Sequence, residues 1–375
     1  MWVLDDSWNG IRSLAVYGFG RVAKAYIELL RKDFAIKAII DNSTNADMEY
    51  QGIPIVSYRT YTQNENENCK IVVAATGRAW NSIKNSLDED GKKEYREYTG
   101  IKNFLGEWYL RYKDRLNIGR VAHSLTQRCT FRCRDCQLLM PYIQNPKDDP
   151  IEMLKNDLDV LFALADYVAD FDVMGGETFL YPFLAEYLSY MTEHYQDRIG
   201  NIQIVTNGSR IPREEELKLI KEKNIHIRIS DYTNEIPYRA KLEQFIQTLE
   251  DYKITYFRFP EMEWSPFGYP YKEMCIDDTK ESLQEHMKRC GGGMSHSLHN
   301  GKLYYCNTAG GVCENTDFKM PEEDYIDLKK TAEDPDGKKQ LWLYSMGIME
   351  NGGMTLCRYC HGYDSEMSVP AGVQV

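Results

Sequence analysis

The period of the apolar positions changes along the chain, and those changes mark its elements. Short apolar runs at 13–17, 35–41 and 70–77 end in glycine or acid and predict buried strands. Runs at 168–174, 202–206 and 225–230 predict strands in the same way. Between them the period becomes helical, with Leu154, Leu158, Leu161, Phe162 and Ala165 on one face of 151–167. Residues 184–195 and 214–223 carry the same pattern. Strands alternating with helices of this length imply βα units and a parallel sheet, so the expected class is α/β. Further on, Asn300-Gly301 between Leu298 and Leu303-Tyr304-Tyr305 is a hairpin signal. Residues 108–116, rich in Tyr, Arg and Lys, predict a connecting helix, and the polar run at 63–68 predicts an exposed loop. There is no internal repeat.

Composition narrows the classes of function. The formal charge of −12 over 375 residues opposes nucleic acid, whose binding rests on Lys and Arg at phosphates, and an anionic membrane surface. No apolar run approaches the ~18 residues of a membrane span. The opening Met1-Trp-Val-Leu-Asp-Asp has no basic start or apolar core of a secretory signal, so the expected location is cytoplasmic. Ten cysteines in such a chain point to metal or redox chemistry.

Three of them form the run Cys129-Thr-Phe-Arg-Cys133-Arg-Asp-Cys136. Thiolates this close can each hold one corner of a [4Fe–4S] cluster. No other cysteine lies between Cys69 and Cys275, so one iron would lack a protein ligand and could take a small molecule. A structural zinc site wants four ligands, and a disulfide framework belongs to small secreted chains. The strand at 168–174 then runs into Gly175-Gly176-Glu177, the strand at 202–206 ends in Thr206-Asn207-Gly208, and the strand at 225–230 ends in Ser230-Asp231. Taken singly, such pairs are ordinary turn chemistry. At these distances after C-x3-C-x2-C they resemble the radical S-adenosylmethionine (SAM) superfamily. That resemblance implies a partial (β/α)6 barrel over 117–270 with its motifs at the C-terminal ends of strands. It implies a [4Fe–4S] cluster on Cys129, Cys133 and Cys136 whose open iron chelates SAM. Gly175, Gly176 and Glu177 would meet the SAM amino group, and Thr206, Asn207, Ser230 and Asp231 the ribose or substrate. In one departure from the family pattern, Asp135 stands where an aromatic residue often precedes the third cysteine.

The C-terminal third carries a second set, Cys290-x10-Gly301-x4-Cys306 followed by Cys357-x2-Cys360. This resembles the SPASM and twitch extensions of radical SAM enzymes, a small β-hairpin/helix domain over 271–375. It implies one auxiliary Fe–S cluster, taken as [4Fe–4S], on Cys290, Cys306, Cys357 and Cys360. Zinc on the same four is the competing reading, because C-x2-C serves both metals. Cys69 is expected to be a buried apolar residue, while Cys275 and Cys313 could be alternative ligands or hydrogen-atom donors.

The first 107 residues are a different module. Gly18-x-Gly20-x-x-Ala23 between a strand and a helix, with Asp41 ending the next strand twenty-one residues after Gly20, is the Rossmann dinucleotide fingerprint. It also resembles small Rossmann-like domains fused to sugar-modifying enzymes, which implies a nucleotide or nucleotide-linked sugar at Gly18, Gly20 and Asp41. A docking or dimerisation role is the alternative. Together the resemblances imply hydrogen abstraction from a substrate carbon by a 5′-deoxyadenosyl radical. The expected net reaction is dehydrogenation of an alcohol in a nucleotide-linked sugar or polyol, with a flavodoxin or ferredoxin as electron donor. Epimerisation of the same substrates and maturation of a ribosomal peptide are the alternatives. No residue is assigned as a catalytic base.

Overall fold

The computed structural model describes residues 2–43, 48–63, 69–75, 77–267, 274–277, 279–290, 295–362 and 367–375. Most of the polar run at 63–68 and the expected domain boundary at 270/271 lie outside them. The chain forms two compact units, Met1–Ile118 and Gly119–Val375. Three modules were expected. The difference lies in the C-terminal third, which is built into the second unit.

In the first unit, strands β1 (Ser13–Tyr17), β2 (Ala35–Ile40), β3 (Met48–Tyr50), β4 (Ile53–Val56), β5 (Lys70–Val73) and β6 (Tyr98–Gly100) form one sheet of order β3-β4-β2-β1-β5-β6. All its pairings are parallel except β3 with β4. Helices α1 (Arg21–Leu30), α2 (Tyr58–Gln63) and α3 (Gly77–Glu89) connect the strands. Strand β1 is buried from Leu14 to Tyr17 because both its faces are covered, as in parallel sheets generally. Cys69 packs in this core, as expected. The helix expected over 108–116 is the last part of a longer helical run. Helix α4 (Ile101–Asn103), a π turn (Phe104–Trp108) and helix α5 (Tyr109–Lys113) bury Phe104, Trp108 and Tyr109 against Phe34. Rings of that size bring too much apolar area to leave in water.

The second unit alternates strand and helix: β7 (Asn117–Ser124), α6 (Ile151–Leu164), β8 (Tyr167–Met174), α7 (Leu184–Tyr195), β9 (Ile199–Thr206), α8 (Glu214–Glu222), β10 (His226–Asp231), α9 (Arg239–Asp251) and β11 (Tyr256–Pro260). There follow β12 (Glu263–Trp264), α10 (Lys280–Arg289), the hairpin β13 (His296–His299) and β14 (Lys302–Tyr304), α11 (Asn307–Asn315), β15 (Tyr325–Asp327), α12 (Leu328–Ala332), α13 (Gly337–Ser345) and β16 (Val369–Pro370). The main sheet runs β11-β10-β9-β8-β7-β13-β14-β15. Strand β13 pairs parallel with β7, so the hairpin continues the sheet that carries the first three cysteines.

A buried polar chain fixes that junction. The Asp157 carboxylate of α6 accepts from the backbone N–H groups of Asn300 (2.8 Å) and Gly301 (2.6 Å), the two positive-φ residues of the hairpin turn. The same carboxylate lies 3.2 Å from Nε2 of His123, whose Nδ1 is 2.8 Å from the Tyr187 hydroxyl. Both His123 and Asp157 are fully buried, so each polar atom must find its partner inside the protein. Among the described residues no helix is long and apolar enough to cross a membrane.

Candidate active site

A cavity of about 280 Å³ opens where β8, β9 and β10 end, and Cys129, Cys133 and Cys136 line it together. Their loop leaves β7 and is held from below. Gly176 N donates to the Thr126 carbonyl (2.8 Å) and Glu177 N to that of Arg128 (2.8 Å). A Cβ at Gly176 would run into the Arg128 carbonyl, so glycine is required there by close backbone approach. The sulfurs face N–H donors: Phe131 N (3.5 Å) and Asn207 Nδ2 (3.9 Å) toward Cys129, and Gln374 Nε2 (3.2 Å) toward Cys133.

Burial pushes the Cys129 thiol up to about 12, with repulsion from Glu177, Cys136 and Cys133 added, and burial pushes Cys133 up to about 11. Thiols whose ionisation is disfavoured in this way, yet which face N–H donors, fit a cationic iron cluster that would deprotonate them on binding. Among the described residues no three His, Cys, Asp or Glu side chains close to the spacing of a single bound ion. A cubane cluster holds its thiolates farther apart, since each binds a separate iron.

Of the expected SAM contacts, Gly175, Gly176, Thr206, Asn207 and Ser230 line the cavity. Glu177 does not. It is fully buried, and its carboxylate accepts from Thr206 Oγ1 (2.7 Å), Phe179 N (3.1 Å) and Asn207 N (2.9 Å). In this structure those three bonds tie the carboxylate to the Thr-Asn-Gly turn, which it holds in place. Burial raises its pKa, and those three donors oppose the rise. Asp231 is not among the residues lining the cavity and is ion-paired with Arg258 at 2.6 Å. Burial works against its charge, but donors from Thr233 and Arg258 hold the carboxyl below its ordinary range.

Sequence reasoning missed Asp172, Arg228, Glu261, Trp264 and Asn307, all of which line the cavity. Asp172 is gripped by Arg120 through two bonds of 2.7 and 2.9 Å and by Gln203 at 3.0 Å. Glu261 accepts from Ser230 Oγ at 3.0 Å and pairs with Arg228 at 3.3 Å. The alternation His226, Arg228, Ser230 along β10 was the available signal for a polar inner face. Asp135 also lines the cavity and pairs with its neighbour Arg134 at 3.0 Å.

The second cysteine set is assembled beside this cavity. Cys306 caps α11, its sulfur accepting from Ala309 N at 3.4 Å, and the Cys360 sulfur accepts from Gly362 N at 3.3 Å. Burial lifts the thiols of Cys306 and Cys357 well above their ordinary value; the charges of Cys360 and Cys290 lift both further, and that of Cys306 adds to the rise at Cys357. Repulsion of that kind is what a shared metal group would relieve. Burial also lifts Cys360, to about 12, with Cys290 and then Cys275 adding to the rise, whereas Cys313 pairs with Tyr304. Two contacts tie this set to the cavity: Asn307, next to Cys306, lines it, as does Phe267, bridged by backbone to Cys360.

In the first unit, Gly18 has φ +98°, a conformation that favours glycine, with the Ala74 carbonyl close by. Asp41 reaches the same turn, but from below: its Oδ2 accepts from Phe19 N at 2.9 Å and its Oδ1 from Ser43 N at 2.9 Å. Burial opposes its charge, and these donors hold the carboxyl below its ordinary range. Gly20 is the N-cap of α1, and no side chain caps that helix.

Comparison with known proteins places the cysteine loop and the strand-end motifs in a recognised domain. Residues 123–258 match the Radical SAM superfamily. This stretch is a radical SAM domain, and the family implies a [4Fe–4S] cluster and SAM. Among solved structures, similarity is found to native anSMEcpe with bound AdoMet and Cp18Cys peptide, at 12% identity and TM-score 0.39, over 68% of this chain and 93% of that one. BtrN in complex with AdoMet and 2-DOIA matches at 14% identity and TM-score 0.35, over 67% and 95%. Streptococcus suis SuiB bound to precursor peptide SuiA matches at 11% identity and TM-score 0.34, over 92% and 88%. Likeness this low carries no argument about substrate or residue roles. No curated protein matches the chain.

Proposed function

We propose that the chain is a radical SAM oxidoreductase that dehydrogenates an alcohol of a nucleotide-linked sugar or polyol, using an auxiliary Fe–S cluster as acceptor for the second electron. Cys129, Cys133 and Cys136 would hold the [4Fe–4S] cluster and Cys290, Cys306, Cys357 and Cys360 the auxiliary one. When bound, the first cluster and SAM supply a 5′-deoxyadenosyl radical able to take hydrogen from unactivated carbon. The observation that carries the reading is that one cavity is lined by the first three cysteines and by Asn307 and Phe267, the immediate neighbours of Cys306 and Cys360. A substrate carbon held there would have the first cysteine group on one side and neighbours of the second close by, which supports passing the second electron to an auxiliary cluster.

The chain's own part is binding and orientation, the usual division of labour with a cofactor of this kind. Glu261, Arg228, Ser230 and Asn307 offer donors and acceptors suited to hydroxyls, and Trp264 offers an aromatic face beside them. Asp172, with Arg120 and Gln203 on its oxygens, is a fixed wall rather than a free base. The glycine turn of the first unit supports a nucleotide carrier for the substrate. Two-electron oxidation should yield a ketone, whereas epimerisation of the same substrate should return an alcohol.

The test is anaerobic reconstitution of the full chain with iron, sulfide, SAM and dithionite against a panel of nucleotide sugars and cyclitols. Production of 5′-deoxyadenosine and a ketone is expected. Replacing Cys129, Cys133 and Cys136 together by Ala should abolish SAM cleavage and leave the second site's iron. Full iron in that variant, or zinc at the second site of protein purified without oxygen, would sink the assignment.

A further inference from the structure

The segment 369–375 reaches back more than two hundred residues to the cysteine loop. Its first part, β16, pairs antiparallel with β12, where Trp264 lines the cavity, and Ala371 N donates to the Met262 carbonyl at 3.0 Å. Gly372, at φ +88°, turns the chain against Tyr232. The segment then runs beside the loop itself. Arg134 N donates to the Val373 carbonyl (2.7 Å) and Val375 N to that of Arg132 (2.9 Å), with Cys133 and Gln374 opposite each other in an antiparallel bridge.

The Gln374 amide is oriented by two partners whose roles cannot be exchanged. Its Oε1 accepts from Arg132 N (2.8 Å), a fixed donor, and its Nε2 donates to the Gly372 carbonyl (2.7 Å), a fixed acceptor. The remaining N–H therefore faces the Cys133 sulfur, 3.2 Å away. Asn207 approaches Cys129 more loosely, at 3.9 Å.

We propose that Gln374 is a positioning residue for the cysteine loop whose amide tunes the reduction potential of the cluster held by Cys129, Cys133 and Cys136. The inference rests on the cluster reading above. An electron added to an iron–sulfur cluster spreads onto its sulfurs, and an N–H aimed at one of them favours the reduced form and raises the potential. The strap formed by 369–375 also ties that sulfur to the cavity wall at Trp264.

The test is an EPR-monitored redox titration of the full chain, reconstituted without SAM. The relevant signal is the one missing from the Cys129/Cys133/Cys136 triple-Ala variant. Gln374→Leu removes the donor. Gln374→Glu also removes it but keeps the acceptor for Arg132 N, and its charge should lower the potential further than the loss of the donor alone. Both variants should keep their iron. Each should need a lower potential for half reduction, for Gln374→Leu by about tenfold in the reduced-to-oxidised ratio, which is about 59 mV for one electron. Unchanged potentials in iron-replete variants overturn the proposal. So does loss of iron from both variants with the fold intact, which would make the strap a clamp and nothing more. A wild-type chain that binds no iron overturns the cluster reading itself, a result readily told apart from the other two.

Discussion

Glu177→Gln separates two roles for one carboxylate. Oε1 takes Thr206 Oγ1 and Phe179 N, and Oε2 takes Asn207 N, all within 3.1 Å and out of contact with water. Glutamine keeps the shape but has one acceptor and one donor. In one orientation its NH2 meets Asn207 N–H, and in the other it meets Phe179 N–H. Either way a buried backbone donor loses its partner, at about 1–3 kcal/mol, and the remaining bonds lose their charge assistance, at roughly another 1 kcal/mol. A total near 2–4 kcal/mol corresponds to at least about thirty-fold faster amide exchange where opening is local. Hydrogen exchange read by mass spectrometry over 199–210 should show that loss of protection around Asn207. SAM affinity, measured anaerobically by calorimetry, should fall only as far as the turn loosens. Unchanged exchange with a tenfold or greater loss of SAM affinity would refute the structural role and restore Glu177 as the partner of the SAM ammonium.

Three further outcomes follow from the geometry. Gly311→Ala would place a methyl 2.8 Å from the Leu138 Cα and 3.0 Å from the Gln137 carbonyl, pushing α11 off the cysteine loop. A cost of about 1–3 kcal/mol is expected in chemical denaturation, and a wild-type midpoint would contradict it. Burial, against His123 and with Asp157 and Asp148, raises Asp149 to about 6, while burial, against Asp157 and with His123 and Lys302, lowers His299 to about 4. Between about pH 4 and 6 the folded state therefore holds Asp149's proton longer than the unfolded chain does, so this group's contribution to stability falls as pH rises. In the same window folded His299 has already lost its proton, so its contribution falls as pH drops. Asp149→Asn should gain about 1–2 kcal/mol at pH 7.5 and His299→Gln a similar amount at pH 4.5, and parallel urea curves at both pH values would show the pair to be inert. Finally, Gly20→Val in the full chain should weaken calorimetric binding of a nucleoside diphosphate sugar by blocking phosphate approach at the N-terminus of α1, and Asp41→Ala should do so by freeing the turn it holds through Phe19. Absence of nucleotide binding in the wild-type chain would leave the first unit a scaffold.

What the sequence determined by itself is local. Apolar period placed α6, α7 and α8 and the strands β8, β9 and β10 within a few residues, because burial of one face acts over neighbouring positions. Short cysteine spacing and strand-end glycines marked the loop and the turn beside it, since a three-residue gap allows few geometries. The Asn300-Gly301 turn was legible for the same reason, as two successive positive-φ positions suit that pair. What only the tertiary structure decided involves partners far apart in the chain. Nothing in Gly175-Gly176-Glu177 says whether the carboxylate faces a ligand or the adjacent turn; that depends on Thr206 and Asn207 arriving from the next strand. Nothing near Asp157 predicts that it would clamp a hairpin 143 residues later and merge the second cysteine set into the same sheet. Gln374 carries no motif at all, and its place at the Cys133 sulfur exists only because segment 369–375 finds a free backbone edge on the cysteine loop. Local pattern encodes which face is buried, whereas hydrogen-bond partners across the fold are chosen by geometry that no single stretch of chain contains.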